Sequence, residues 1–90
     1  MLQARYVVRG RVQGVGFRWF VLHEASALKL GGFVRNLPDG SVEVMVCGPE
    51  QAMLQLERLL ARGPGSARVE FVEKTDLPHD MDLPKSFGVQ

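Results

Sequence analysis

The spacing of the apolar residues switches back and forth along the ninety residues, and the order of the switches leaves few folds open. From Gln3 to Val12 the pattern alternates, with Ala4, Tyr6 and Val8 on one face and Arg5, Val7 and Arg9 on the other, which predicts a strand. Residues 10–16 hold three glycines and turn the chain into a loop. From Phe17 the period is helical, with Phe17, Val21, Ala25 and Leu28 on one stripe, and Gly31-Gly32 is the expected stop. Phe33 to Leu37 predicts a second strand. Leu37-Pro38-Asp39-Gly40 has the proline and glycine positions of a type I turn, and Ser41 to Cys47 alternates again, so a hairpin is expected.

Gly48-Pro49-Glu50 opens a second helix, with Pro49 suited to the first helical position and Glu50 to the positive end of the dipole. Its stripe is Ala52, Met53, Leu56, Leu59 and Leu60, and Gly63-Pro64-Gly65-Ser66 stops it. Ala67 to Lys74 predicts a fourth strand with Val69 and Phe71 on one face. Residues 75–86 are a polar loop, and Phe87-Gly88-Val89 is a candidate short last strand. The order β-α-β-β-α-β predicts an α+β, ferredoxin-like sandwich, one antiparallel sheet with two helices on one face. A single domain over residues 1–90 is expected, because the length leaves no room for a second core. The topology serves enzymes and binding modules alike and does not decide function.

Charge and cysteine content exclude more. Residues 1–45 carry a net charge of +3 and residues 46–90 a net charge of −2, so positive charge gathers in the half with the glycine-rich loop. That excess suits a small anion better than a nucleic acid. The single cysteine, Cys47, excludes an internal disulfide and a cysteine-based metal cluster, and it reads as a small core residue. Asp76, His79, Asp80 and Asp82 share a proline-bearing loop without a metal-ligand spacing and read as solvated. His23 reads as a surface residue of the first helix. Phe17, Phe20 and Phe33 read as core, and Arg9, Arg11 and Arg35 as solvated charges. No apolar run reaches the roughly 20 residues of a membrane span, and no apolar leader precedes the first strand, so a cytoplasmic location is expected.

The loop from Gly10 to Arg18, Gly-Arg-Val-Gln-Gly-Val-Gly-Phe-Arg, runs from a strand into a helix. Glycines let successive N–H groups point inward as a nest, and the first helical turn adds unpaired N–H groups and partial positive charge. Arg18 stands in that turn, where a guanidinium can hold two oxygens of one phosphoryl group. No Gly-Lys-Ser/Thr follows, and the third glycine of a dinucleotide fingerprint is Trp19 here. Taken alone, the loop fits an anion cradle and an ordinary glycine turn equally.

Together with Gly32-Phe33-Val34-Arg35-Asn36 and Asp39-Gly40-Ser41-Val42-Glu43, this loop closely resembles the acylphosphatases. Gly31-Gly32 and a short tail after Phe87 are its departures from the usual pattern. The resemblance implies hydrolysis of the carboxyl–phosphate bond of a small acyl phosphate, without metal or cofactor and without nucleic acid or membrane. Inorganic phosphate is then both product and competing ligand, and a monomer is expected. It places the phosphate cradle on Gln13, Gly14, Val15, Gly16, Phe17 and Arg18, with Arg18 the phosphate-gripping arginine and Asn36 the water-positioning asparagine. The chemistry agrees. The chain has no serine–histidine pair, no cysteine in the loop and no carboxylate cluster near it. An acyl phosphate needs none of these, because its carboxylate leaves without protonation and positioning does most of the work in a loose transition state. An asparagine can accept a hydrogen from water while donating elsewhere.

Two other classes fit the topology. An RNA-recognition domain needs a Gly-Phe-Gly/Ala-Phe-Val platform on a central strand, whereas the Gly-Phe pair here opens a helix. An accessory domain, like the acylphosphatase-like segment of hydrogenase-maturation carbamoyltransferases, is disfavoured by a chain ending at Gln90.

Overall fold

The computed structural model describes residues 2–90. The elements are β1 (Leu2–Arg11), α1 (Phe17–Ala27), β2 (Gly31–Asn36), β3 (Val42–Gly48), α2 (Glu50–Arg62), β4 (Arg68–Asp76) and β5 (Phe87–Val89). They build one five-stranded sheet in the order β4-β1-β3-β2-β5. The β1–β3, β1–β4 and β2–β3 pairs are antiparallel, and β5 adds a short parallel pairing to β2, with Gly32 opposite Phe87. Both helices cover one face. Phe17, Val21 and Ala25 of α1 and Met53, Leu56 and Leu60 of α2 share a core with Ala4, Tyr6, Val8, Val34, Val42, Val44 and Val46 of the sheet. Among the described residues no helix is long and apolar enough to cross a membrane.

Helix α1 stops earlier than its glycines suggested. The N–H of Leu30 bonds Ala25 O (2.9 Å) and that of Lys29 bonds Ser26 O (3.0 Å), the paired bonds of a Schellman cap. Lys29 holds the left-handed position, φ 58°, that glycine usually takes there. Leu30 then turns into the core. Gly31 and Gly32 belong to β2 instead, and a Cβ on Gly32 would clash with the carbonyl oxygen of Met45. These glycines serve a close approach of backbones, not a helix stop.

Strand β4 departs from simple alternation. Its register against β1 shifts between Arg9 and Gly10, where Arg9 pairs with Phe71 and Gly10 with Val69, leaving Glu70 as the extra residue of a bulge. Val69 and Val72 therefore both pack on the core, while Phe71 is 56% exposed. Pro49 is the N-cap of α2, one position before the predicted site.

The other sheet face has its own order. Glu43, only 4% exposed, accepts hydrogen bonds from Arg5 Nε and Arg35 Nε, each at 2.6 Å. Arg9 bridges Asp39 (3.0 Å) and Glu73 (2.8 Å). Arg9 and Arg35 are thus paired, although the sequence read them as solvated. Phe33 sits under the Arg35 guanidinium, 6.0 Å from carbon Cζ to ring centroid, and Cys47 is half-buried; neither joins the core under the helices. His23 is exposed, as expected.

Candidate active site

The loop between β1 and α1 takes its shape from two glycines. Gly14 (φ 73°) and Gly16 (φ 79°) both adopt the left-handed conformation, and Gly16 is the N-cap of α1 without any side-chain cap. The first N–H beyond Gln13 to pair along the backbone is that of Phe20, on Gly16 O at 3.0 Å. The N–H groups of residues 14–19 have no backbone partner among the described residues. Left-handed glycines in a turn that leaves successive N–H groups unpaired are the setting in which such groups gather into an anion-binding concavity. The unpaired first turn of α1 adds its partial positive charge to it.

Two tethers hold this loop. The Gln13 side-chain amide donates to Leu37 O and to Ser41 O, both at 2.8 Å, and so pins the loop to the β2–β3 hairpin. On the other side the Ser66 hydroxyl donates to Val15 O at 2.9 Å. The hairpin turn is itself tied, because Asp39 Oδ1 accepts from the N–H and the hydroxyl of Ser41. Those two bonds from Ser41, with the Arg9 guanidinium behind them, lower the Asp39 carboxyl pKa to about 2.

Between loop and hairpin lies a cavity of about 150 Å³, lined by Val12, Gly14, Gly16, Phe17, Arg18, Trp19 and Asn36. Clefts of about 320 and 310 Å³ lie elsewhere, beside Lys29 and Lys85 and beside Leu2 and His79, but neither joins a backbone nest to an arginine. Arg18 Nη1 donates to the Gln90 carbonyl at 3.0 Å, which steadies the guanidinium in the first turn of α1. Asn36, at the end of β2, has its Oδ1 buried with no hydrogen-bond partner among the described residues. A buried amide oxygen without a partner costs free energy unless something donates to it, and water is the donor best suited to a small polar cavity.

Of the residues singled out in the sequence, Gly14, Gly16, Phe17, Arg18 and Asn36 thus meet around one cavity. Gln13 and Val15 do not line it: the Gln13 amide faces the hairpin, and the Val15 carbonyl faces Ser66. Trp19 and Val12 line it without having been singled out. Trp19 follows Arg18 in the same helical turn, the one signal in the sequence that pointed to it. Among the described residues no group of three or more His, Cys, Asp or Glu side chains is placed to hold a metal ion.

The acylphosphatase family model matches residues 4–89. An acylphosphatase of Koribacter versatilis is 51% identical over 86 residues, which cover 96% of this chain and 77% of that one. The crystal structure of an acylphosphatase from Bacillus subtilis superposes with a TM-score of 0.94 at 39% identity, covering 100% of this chain and 99% of that chain. The crystal structure of HypF from T. kodakarensis matches with a TM-score of 0.85 at 33% identity, over 100% of this chain but only 12% of its own. With the family model spanning nearly the whole chain and relatives this similar, the protein is a member of the acylphosphatase family.

Proposed function

We propose that this acylphosphatase domain holds the phosphoryl group of a small acyl phosphate on the backbone of residues 13–18 and the guanidinium of Arg18, and that Asn36 holds the water that attacks it. The observation carrying this reading is that Asn36, whose buried Oδ1 has no partner among the described residues, lines the same cavity as Arg18. A water donating one hydrogen to Oδ1 keeps a lone pair free to face the phosphorus. As the new P–O bond forms, the bond from phosphorus to the acyl oxygen breaks and that oxygen leaves as a carboxylate. The proton released by the water ends on the phosphate product. Charge growing on the phosphoryl oxygens meets N–H groups and a guanidinium already in place, so little has to move during the step.

The reading uses no metal and no cofactor. Inorganic phosphate is its product and competing ligand, no nucleic acid or membrane takes part, and the enzyme acts in the cytoplasm as a monomer. The decisive experiment separates binding from chemistry. Asn36→Ala should lower kcat by on the order of 10²–10³ while leaving the inhibition constant of inorganic phosphate nearly unchanged. Arg18→Ala should lose both. Wild-type kcat in Asn36→Ala, or equal loss of phosphate affinity in the two variants, refutes the division of roles. Circular dichroism establishes first that both variants are folded.

A further inference from the structure

The proposed function leaves the acyl group of the substrate unassigned, and one residue lining the cavity carries an exposed indole. Trp19 lines the cavity and is 59% exposed. It lies about 200° around α1 from Phe17, on the far side from the core stripe. Nothing in the packing of the helix calls for a large apolar side chain there, because its buried residues are Phe17, Val21 and Ala25.

The size of the cavity says what reaches it. At about 150 Å³ it is the smallest of the clefts described, so little room remains beside a phosphoryl group and an attacking water. The acyl body of a bound acyl phosphate then has to lie at the mouth. Among the lining residues the mouth offers little choice of neighbour. Val12 and Phe17 are each only 1% exposed and belong to the core. Gly14 and Gly16 present backbone alone, and Arg18 and Asn36 are engaged by the phosphoryl group and the water. Trp19 alone presents a broad apolar side chain.

We propose that Trp19 forms the acyl-side wall of the site and makes this enzyme select acyl phosphates with an apolar, planar acyl group, such as an aromatic one, over small or charged acyl groups. An indole face provides a large, rigid contact at little entropic cost. Apart from the indole N–H, no further side-chain donor or acceptor in the lining rewards a hydroxyl or second charge on the acyl body, which would have to shed water against the ring face with little compensation. The inference rests on the phosphoryl site described above and extends it outward.

The test compares benzoyl phosphate with acetyl phosphate in the full chain. In the wild type benzoyl phosphate should have the higher kcat/KM. Trp19→Ala should reduce the benzoyl-to-acetyl ratio about tenfold, and Trp19→Phe should restore most of it. A ratio unmoved by Trp19→Ala, including an equal loss on both substrates, overturns the proposal. A second readout does not depend on turnover. Trp19 is the only tryptophan, so its emission should respond more to saturating benzylphosphonate than to saturating methylphosphonate, and equal responses overturn the proposal too. Failure of the underlying phosphoryl site has a different signature: Arg18→Ala would then hydrolyse both substrates at wild-type rates, and the acyl wall would fall with it.

Discussion

The bridge made by Gln13 yields a prediction in which the isosteric substitution does more harm than the apolar one. Its amide nitrogen supplies both bonds, to Leu37 O and Ser41 O. Each of those carbonyls also accepts a backbone bond, Leu37 O from Gly40 N–H at 3.1 Å and Ser41 O from Leu37 N–H at 2.8 Å. Gln13→Met therefore orphans neither acceptor and should cost near the lower end of the usual range, about 0.5 kcal/mol for each bond and about 1 kcal/mol in all. For a chain of this size that is a fall in Tm of about 4–8 °C. Gln13→Glu keeps the shape but turns a carboxylate toward two carbonyl oxygens, which should cost at least about 3 kcal/mol near neutral pH. The pH dependence has a definite sign. The folded pKa of the introduced acid is raised, because only its protonated form can donate. Stability is then recovered below about pH 4.3 and lost as pH rises through the folded value. Thermal melting of the three proteins at pH 4 and pH 7 decides the matter. If Gln13→Glu melts at or above Gln13→Met at pH 7, the amide does not hold the hairpin in the way described.

Inorganic phosphate at about 100 times its dissociation constant should stabilise the protein by about 2.7 kcal/mol and raise Tm by about 10–20 °C, an effect absent in Arg18→Ala; an unchanged melting curve argues against the nest. Acid should destabilise the fold between about pH 4.5 and pH 2. Burial opposes ionisation of Glu43, but the bonds from Arg5 and Arg35 outweigh it and depress its pKa, while Asp39 is held at about 2. Both carboxylates contribute stability that is present above their unfolded pKa values and lost as pH falls through the folded ones, so Glu43→Gln should flatten the acid limb of Tm against pH, and an acid limb as steep as the wild type's would refute the assignment. Lys29→Gly should stabilise by about 1 kcal/mol by relieving the left-handed cap, whereas Gly32→Ala should cost about 3 kcal/mol or more, because its Cβ meets the Met45 carbonyl; chemical denaturation reads both, and the reverse order would refute the backbone account of the helix end.

Much of the fold was legible because the period of the apolar residues switches cleanly at Phe17, Phe33, Ala52 and Ala67. The errors share a cause. Gly31-Gly32 signals a break in local terms, yet what requires glycine there is backbone from distant parts of the chain, the Pro84 carbonyl at Gly31 and the Met45 carbonyl at Gly32. Val69 and Phe71 alternate in the sequence but not in space, because the bulge at Glu70 is set by pairing with β1, more than fifty residues away in the chain. Phe33 looked like core because apolar spacing cannot say that an arginine will cover it. Within the site, the glycines and Arg18 were readable from local chemistry, and Asn36 stood out only through the family resemblance. The bonds from Gln13 could not be read at all, and Trp19 had only its place beside Arg18 to mark it, since each depends on which surfaces the tertiary fold brings together.

The bulge in β4 has a consequence for colloidal behaviour. Strand β4 closes one side of the sheet, and its outer row of N–H and C=O groups is open to another chain. A long, flat edge of this kind is a template for further strands. Here the extra residue at Glu70 bends the edge away from the straight, even pleat that a docking strand needs, and Arg68, Glu70, Glu73, Lys74 and Asp76 place charge along it. The opposite edge, β5, is only three residues long. Deleting Glu70 would remove the bulge and leave β4 a straight, evenly pleated edge on which another strand could dock. The irregularity that hides the strand's pattern in the sequence thus works against edge-to-edge pairing of one copy with the next.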